Sequence, residues 1–117
     1  MRNLFFDICK IKNAKTKRIS SYDIDGRNKD CWLIEPGQKK TIAEIEGPGC
    51  ITHIWMTQRG PLFLYREVIL KFYWDGEENP SILVPLGDFF CLGHSIVNSF
   101  CSLPFTASNK NPYKFGA

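Results

Sequence analysis

Two stretches of this chain hold residue types that do chemistry. In Leu86-Gly87-Asp88-Phe89-Phe90-Cys91-Leu92-Gly93-His94 a carboxylate and an imidazole stand six residues apart, with two phenylalanines between them and glycines close by. An Asp–His pair of this kind serves as an acid/base dyad, as a fragment of a metal site, or as a structural hydrogen bond. With only two histidines in the chain a complete zinc site is disfavoured, and a structural bond is the preferred reading of the residues alone. The second stretch, Ser20-Ser21-Tyr22-Asp23 with Asp25, offers hydroxyls and carboxylates in the proportion that sugar sites use for hydrogen bonding. Polar loops are nonetheless commonly just loops.

Other candidates are weaker. His53 lies beside Trp55 in an alternating run, where a lone histidine more often bonds backbone in a core or interface than performs catalysis. Glu77-Glu78 resembles a carboxylate pair, but adjacent residues in a turn point apart into solvent, and Asp75 reads as a turn former. No Ser-His-Asp, phosphate-loop or dinucleotide-binding signature is present. The five cysteines, at 9, 31, 50, 91 and 101, are odd in number and form no C-x-x-C arrangement. They read as buried or half-buried free thiols in a reducing compartment.

The elements that must position these residues read as strands. From Glu67 to Trp74 apolar Val68, Leu70, Phe72 and Trp74 alternate with Glu67, Ile69, Lys71 and Tyr73, the period of an extended chain. Asp75-Gly76 turns the chain, Pro80 closes the connection, and Ile82, Val84 and Leu86 form the next apolar face, with Pro85 marking an edge or an end. Asp88 to His94 then reads as a loop. Upstream, Leu4, Phe5, Ile8 and Ile11 have helical spacing within residues 3–12. Residues 13–18 form a basic connector and 19–30 an irregular loop. Cys31–Glu35, Thr41–Glu46 and Cys50–Thr57 read as strands, separated by turns at Pro36-Gly37 and Gly47-Pro48-Gly49. Neither face of Cys50–Thr57 is polar, so both sides should be covered. Ser95–Ser102 reads as a last strand, and from Pro104 the chain looks irregular, with no closing element. Short strands at this spacing predict an all-β sandwich or jelly roll. The expected domains are residues 1–17, helix and basic connector, and 18–117, a partial jelly roll.

Composition bounds the function. The 117 residues, 44% hydrophobic, suit one modest core. Of the net charge of +3, residues 1–40 hold ten Lys/Arg against five Asp/Glu, much of it in Lys10, Lys12, Lys15, Lys17 and Arg18. The run is short and lacks interleaved aromatics, so a solvated connector is favoured over a nucleic-acid arm. Leu4-Phe5-Phe6 is far short of a signal-peptide core and no stretch approaches a membrane span, which leads us to expect a cytoplasmic protein without nucleic-acid or membrane partners.

An ordered set of motifs is more specific than any of these. Arg18-Ile19-Ser20-Ser21-Tyr22-Asp23, Ile34-Glu35-Pro36-Gly37, Ala43-Glu44-Ile45-Glu46-Gly47-Pro48-Gly49, Ile51-Thr52-His53-Ile54-Trp55, Tyr73-Trp74-Asp75-Gly76-Glu77-Glu78 with Pro80-Ser81, Val84-Pro85-Leu86-Gly87-Asp88-Phe89-Phe90 with Gly93-His94, and Ser102-Leu103-Pro104 follow one another. Together they resemble the N-terminal part of glycoside hydrolase family 172, over residues 18–104. The resemblance implies the first part of the first of two jelly-roll domains, and trimers or hexamers with active sites at subunit interfaces. It also implies action on α-D-fructofuranosides or α-D-arabinofuranosides with retention of configuration and with no metal or other cofactor. Retention needs two carboxyl groups about 5–5.5 Å apart. In the family that glutamate pair lies beyond the matched region, so no catalytic residue is assigned here and the isolated chain is expected to be inactive. What matches family motifs, as tentative substrate-binding residues, is Tyr22, Asp23, His53, Trp55, Asp88, Phe90 and His94. The resemblance leads us to expect a small residue such as glycine where Cys91 stands. The alternative class is a non-catalytic carbohydrate-binding or assembly β-sandwich module.

Overall fold

The computed structural model describes residues 9–60, 64–94, 96, 98–111 and 114–117. The chain forms two compact units, Met1–Gly49 and Cys50–Ala117. In the first, the described residues contain turns and bends but no helix or strand. The expected helix over 3–12 lies mostly outside the described residues, and 9–12 are not helical. The expected strands Cys31–Glu35 and Thr41–Glu46 do not form among the described residues. A strand is defined by the ladder that satisfies its backbone, and alternation alone supplies no partner. The turn between them is present: the Gln38 N–H donates to the Glu35 carbonyl at 3.0 Å, and Gly37 has φ 78°, the value a type II turn requires.

The second unit contains β1 (Thr57–Arg59), a 3-10 turn (Leu64–Arg66), β2 (Ile69–Phe72), β3 (Ile82–Pro85), α1 (Leu86–Phe89), β4 (Phe100–Cys101), β5 (Thr106–Asn111) and β6 (Lys114–Gly116). β2 and β3 form an antiparallel hairpin with Leu70 opposite Val84 and Phe72 opposite Ile82. At its tip the Glu77 N–H donates to the Trp74 carbonyl at 2.9 Å, and Asp75 and Gly76 both have positive φ, as the Asp-Gly pair predicts. The alternation holds at the centre, where Leu70 is buried and Phe72 half-buried while Ile69 and Lys71 are exposed. It fails at the ends, because Val68 and Trp74 are exposed. A second, four-stranded antiparallel sheet has the order β1-β6-β5-β4.

Two expectations for this unit and one for the whole chain are corrected. The segment after Pro104 is not irregular, since it supplies the central strands of the larger sheet, β5 and β6. Its Ser and Asn residues have weak strand propensity, and pairing on both sides overrides it. The run Cys50–Thr57 is not covered on both sides: Ile51, His53 and Trp55 leave one face exposed, the other is half-buried only at Ile54 and Met56, and only Thr57 reaches a strand. The five cysteines are exposed rather than buried.

The core gathers on α1, in a stretch expected to be a loop. Leu86, Phe90 and Leu92 are buried with Tyr65 and Leu70. Phe89 stacks on Phe72 of β2 at 5.6 Å and meets Phe90 and Phe105 edge-on at 5.1 and 6.3 Å, so one ring touches the hairpin and the residue that leads into β5. Two backbone details permit this. The Leu86 N–H donates to the Val68 carbonyl at 2.8 Å, tying the start of α1 to the chain entering β2. A Cβ at Gly87 would stand 2.8 Å from Tyr65 Cβ and 3.1 Å from the Tyr65 carbonyl oxygen, so only glycine fits.

The helix closes with the Leu92 N–H on the Gly87 carbonyl at 2.8 Å and the Cys91 N–H on the Asp88 carbonyl at 3.0 Å, a Schellman cap. That motif places Cys91 at φ 65°. A left-handed cap residue is usually glycine because Cβ crowds the carbonyl there, which is the physical basis for expecting a small residue at 91. Replacing Cys91→Gly is therefore expected to raise stability by about 1 kcal/mol, and Gly87→Ala to lower it by about 1–3 kcal/mol. Urea unfolding followed by tryptophan fluorescence measures both.

Candidate functional site

The candidate residues fall into three groups. In the first unit the loop 21–30 is tied by its own acids. The Asp23 carboxylate accepts the Asp25 N–H on Oδ1 at 3.0 Å and the Lys29 N–H on Oδ2 at 3.1 Å. The Asp30 carboxylate accepts the Asp23 N–H at 2.8 Å, and the Ser21 hydroxyl donates to the Asp30 carbonyl at 2.9 Å. Arg27 pairs with Asp25. An aspartate that accepts backbone N–H groups two and six residues on substitutes for a regular ladder. Both Asp23 oxygens are thus engaged in loop structure, whereas the adjacent Tyr22 ring is 66% exposed. Elsewhere in this unit the Lys40 ammonium lies 5.8 Å from the Trp32 ring centroid.

The second group is α1 and its cap. Asp88 is half-buried with Oδ2 3.1 Å from Arg66 Nη2, and its buried Oδ1 has no hydrogen-bond partner among the described residues. His94 is exposed and, among the described residues, makes no hydrogen bond or ion pair with Asp88; the aspartate's charge is met by Arg66 of the 3-10 turn. Phe90 is buried, placed as a core ring at the end of α1. Tyr65, next to Arg66, is also buried, and desolvation raises its phenol above the ordinary value. Arg66 and Tyr65 were not singled out from sequence. They precede an alternating strand and carry no motif, and their pairing with residues 87 and 88 is non-local.

The third group is the segment entering β1. His53 and Trp55 are both exposed, and Trp55 is the more prominent at 66%. The structure therefore brings Asp88 and Phe90 together on one helical turn, keeps His53 and Trp55 on one strand-like run, and leaves Tyr22 and Asp23 in the other unit. Among the described residues no group of three His, Cys, Asp or Glu side chains comes together to hold a metal ion. Among them, too, no helix is long and apolar enough to cross a membrane.

Chemically, the two candidate carboxylates act first as anchors. Asp23 organises a loop through backbone N–H groups, and Asp88 balances a guanidinium beside the core. Exposed Tyr22 and Trp55 offer flat rings of the kind that cover an apolar sugar face.

The Asp88–Arg66 pair is asymmetric, because the Arg66 side chain is 54% exposed and that of Asp88 only 20%. Removing the arginine strands a poorly solvated carboxylate, whereas removing the charge of Asp88 leaves an arginine that water can serve. Arg66→Met should cost about 1–2 kcal/mol and Asp88→Asn less than about 1 kcal/mol. The double variant should be more stable than Arg66→Met alone, as read from a double-mutant cycle of urea midpoints.

The model of one protein family, described as the GH172 first beta-sandwich domain, matches residues 12–113. A search of curated proteins returned no match. The match takes in the Asp23 loop, the hairpin, α1 and strands β1, β4 and β5 of the larger sheet, and the almost helix-free, strand-built second unit agrees with a sandwich. This chain belongs to glycoside hydrolase family 172, and residues 12–113 correspond to that family's first β-sandwich domain.

Proposed function

We propose that the chain forms part of a hydrolase acting on α-D-fructofuranosides or α-D-arabinofuranosides with retention of configuration, and that these 117 residues do not themselves catalyse the reaction. The observation that carries this reading is the family match over residues 12–113, to a first sandwich domain rather than to the whole of an enzyme. The engagement of Asp23 by backbone N–H groups and of Asp88 by Arg66 supports it, since a retaining mechanism needs a free nucleophilic carboxylate facing a second carboxyl at about 5–5.5 Å. In this reading Tyr22, Asp23, His53, Trp55, Asp88, Phe90 and His94 bind a furanoside or shape the wall that does, and the assembled protein is a trimer or hexamer. We place it in the cytoplasm, a reducing compartment that suits five exposed free thiols.

A second reading, a non-catalytic carbohydrate-binding or assembly module, draws on the exposure of Trp55. Calorimetric titration with furanosides separates the two roles of that ring: heat that disappears in Trp55→Ala assigns it to sugar binding.

Purified chain incubated with nitrophenyl α-D-fructofuranoside or nitrophenyl α-D-arabinofuranoside should release no nitrophenol above the background rate. Turnover that persists through purification and is lost in Asp88→Asn or Asp23→Asn would overturn the assignment of chemistry to residues outside this chain.

A further inference from the structure

The run that enters the 21–30 loop carries more positive charge than its neighbours pair. From Ile8 to Tyr22 the sequence has five cations and no acid. Lys12, Lys15, Lys17 and Arg18 are exposed and make no ion pair among the described residues. The first acids that follow are held within their own loop: Asp23 by the Asp25 and Lys29 N–H groups, Asp30 by the Asp23 N–H, and Asp25 by Arg27. Residues 15–22 run without a turn or bend, so successive side chains alternate between two sides. Half-buried Ser21 and Asp23 mark the inner side, since both bond within the loop. Arg18, Ser20 and Tyr22 therefore share the outer side, at steps of about 6.6 Å along the chain. Tyr22 is 66% exposed, and no hydrogen bond occupies the Ser20 hydroxyl among the described residues.

We propose that Arg18, Ser20 and Tyr22 form a subsite for a phosphorylated furanoside. Each side chain matches one part of such a ligand. A guanidinium binds two phosphate oxygens at once, the Ser20 hydroxyl donates to a third, and the Tyr22 ring covers the apolar face of the sugar. Lys15 and Lys17 raise the local concentration of the anion without fixing its geometry, because an ammonium is a compact point charge on a flexible stem. A neutral furanoside would use Tyr22 and leave the guanidinium in water, so the phosphate adds contacts that the exposed ring cannot supply by itself. A nucleic acid fits less well, since it calls for rings interleaved with the cations, and residues 10–19 contain no aromatic side chain. The proposal rests on the furanoside reading of Tyr22 and adds to it the charge of the ligand.

Calorimetric titration of the full chain at low ionic strength, where surface charge is least screened, tests it. D-arabinose 5-phosphate and D-fructose 6-phosphate are confined to furanose rings, because the phosphate blocks the hydroxyl that would close a pyranose. Methyl α-D-arabinofuranoside and inorganic phosphate supply the ring alone and the anion alone. The sugar phosphates should bind about tenfold or more tighter than either part. Arg18→Gln should remove about tenfold of the sugar-phosphate affinity and leave the methyl furanoside unchanged. Tyr22→Ala should weaken both kinds of sugar and leave inorganic phosphate unchanged. Lys12→Gln, which removes a charge away from the subsite, should change sugar-phosphate binding less than about twofold. Inorganic phosphate binding as tightly as the sugar phosphates, or equal losses in Arg18→Gln and Lys12→Gln, would reduce the run to an unspecific anion surface and overturn the proposal. Binding of a short DNA duplex or of phosphatidylserine vesicles in place of the sugar phosphates would assign the run to a polyanion and equally overturn it. Tyr22-dependent binding of the methyl furanoside with no preference for the phosphates would overturn the proposal and leave the furanoside reading standing. No heat with any probe would remove Tyr22 from that reading as well.

Discussion

The second unit depends on one close approach, the backbone of Gly87 against Tyr65. Because the two chains meet without an intervening Cβ, the 3-10 turn and α1 lie in contact, and Asp88 and Phe89 leave that contact in fixed directions. Asp88 reaches Arg66, and Phe89 reaches Phe72 and Phe105. The Schellman cap then reverses the chain so that Leu92 joins Leu86 and Phe90 in the buried cluster. A single turn of helix has too few internal bonds to persist in water. It exists here because its ends are hydrogen-bonded to Val68 and to its own cap, and because its rings are buried.

The same arrangement separates structural chemistry from recognition chemistry. Asp88 is met by Arg66 beside the core and Asp23 by backbone N–H groups of its own loop, while Tyr22 and Trp55 keep their rings exposed.

Sequence reading succeeded where the cause is local. The turns at Pro36-Gly37 and Asp75-Gly76 follow from φ preferences of single residues. The β2–β3 hairpin follows from alternation flanking such a turn, and the irregular loop 19–30 from its density of Ser, Asp, Asn and Gly. The family, and with it the β-sandwich class, was carried by the order of several motifs rather than by any one of them. Local signals failed where pairing decides. Residues 31–35 and 41–46 have strand composition without a ladder among the described residues, and 106–111 has poor strand composition with a partner on each side.

Composition, turn chemistry and motif order thus determined by themselves that the chain is strand-rich, where it reverses, and to which family it belongs. Only the tertiary structure decided that Asp88 is paired with Arg66, that Cys91 occupies a left-handed cap, and that residues 106–111 lie between two partner strands. The division has a physical reason. Dihedral preferences and hydrophobic period act over a few residues and are written in neighbours, whereas ion pairs, ring contacts and ladder partners form between positions far apart in sequence. The identity of those partners is set by the fold as a whole.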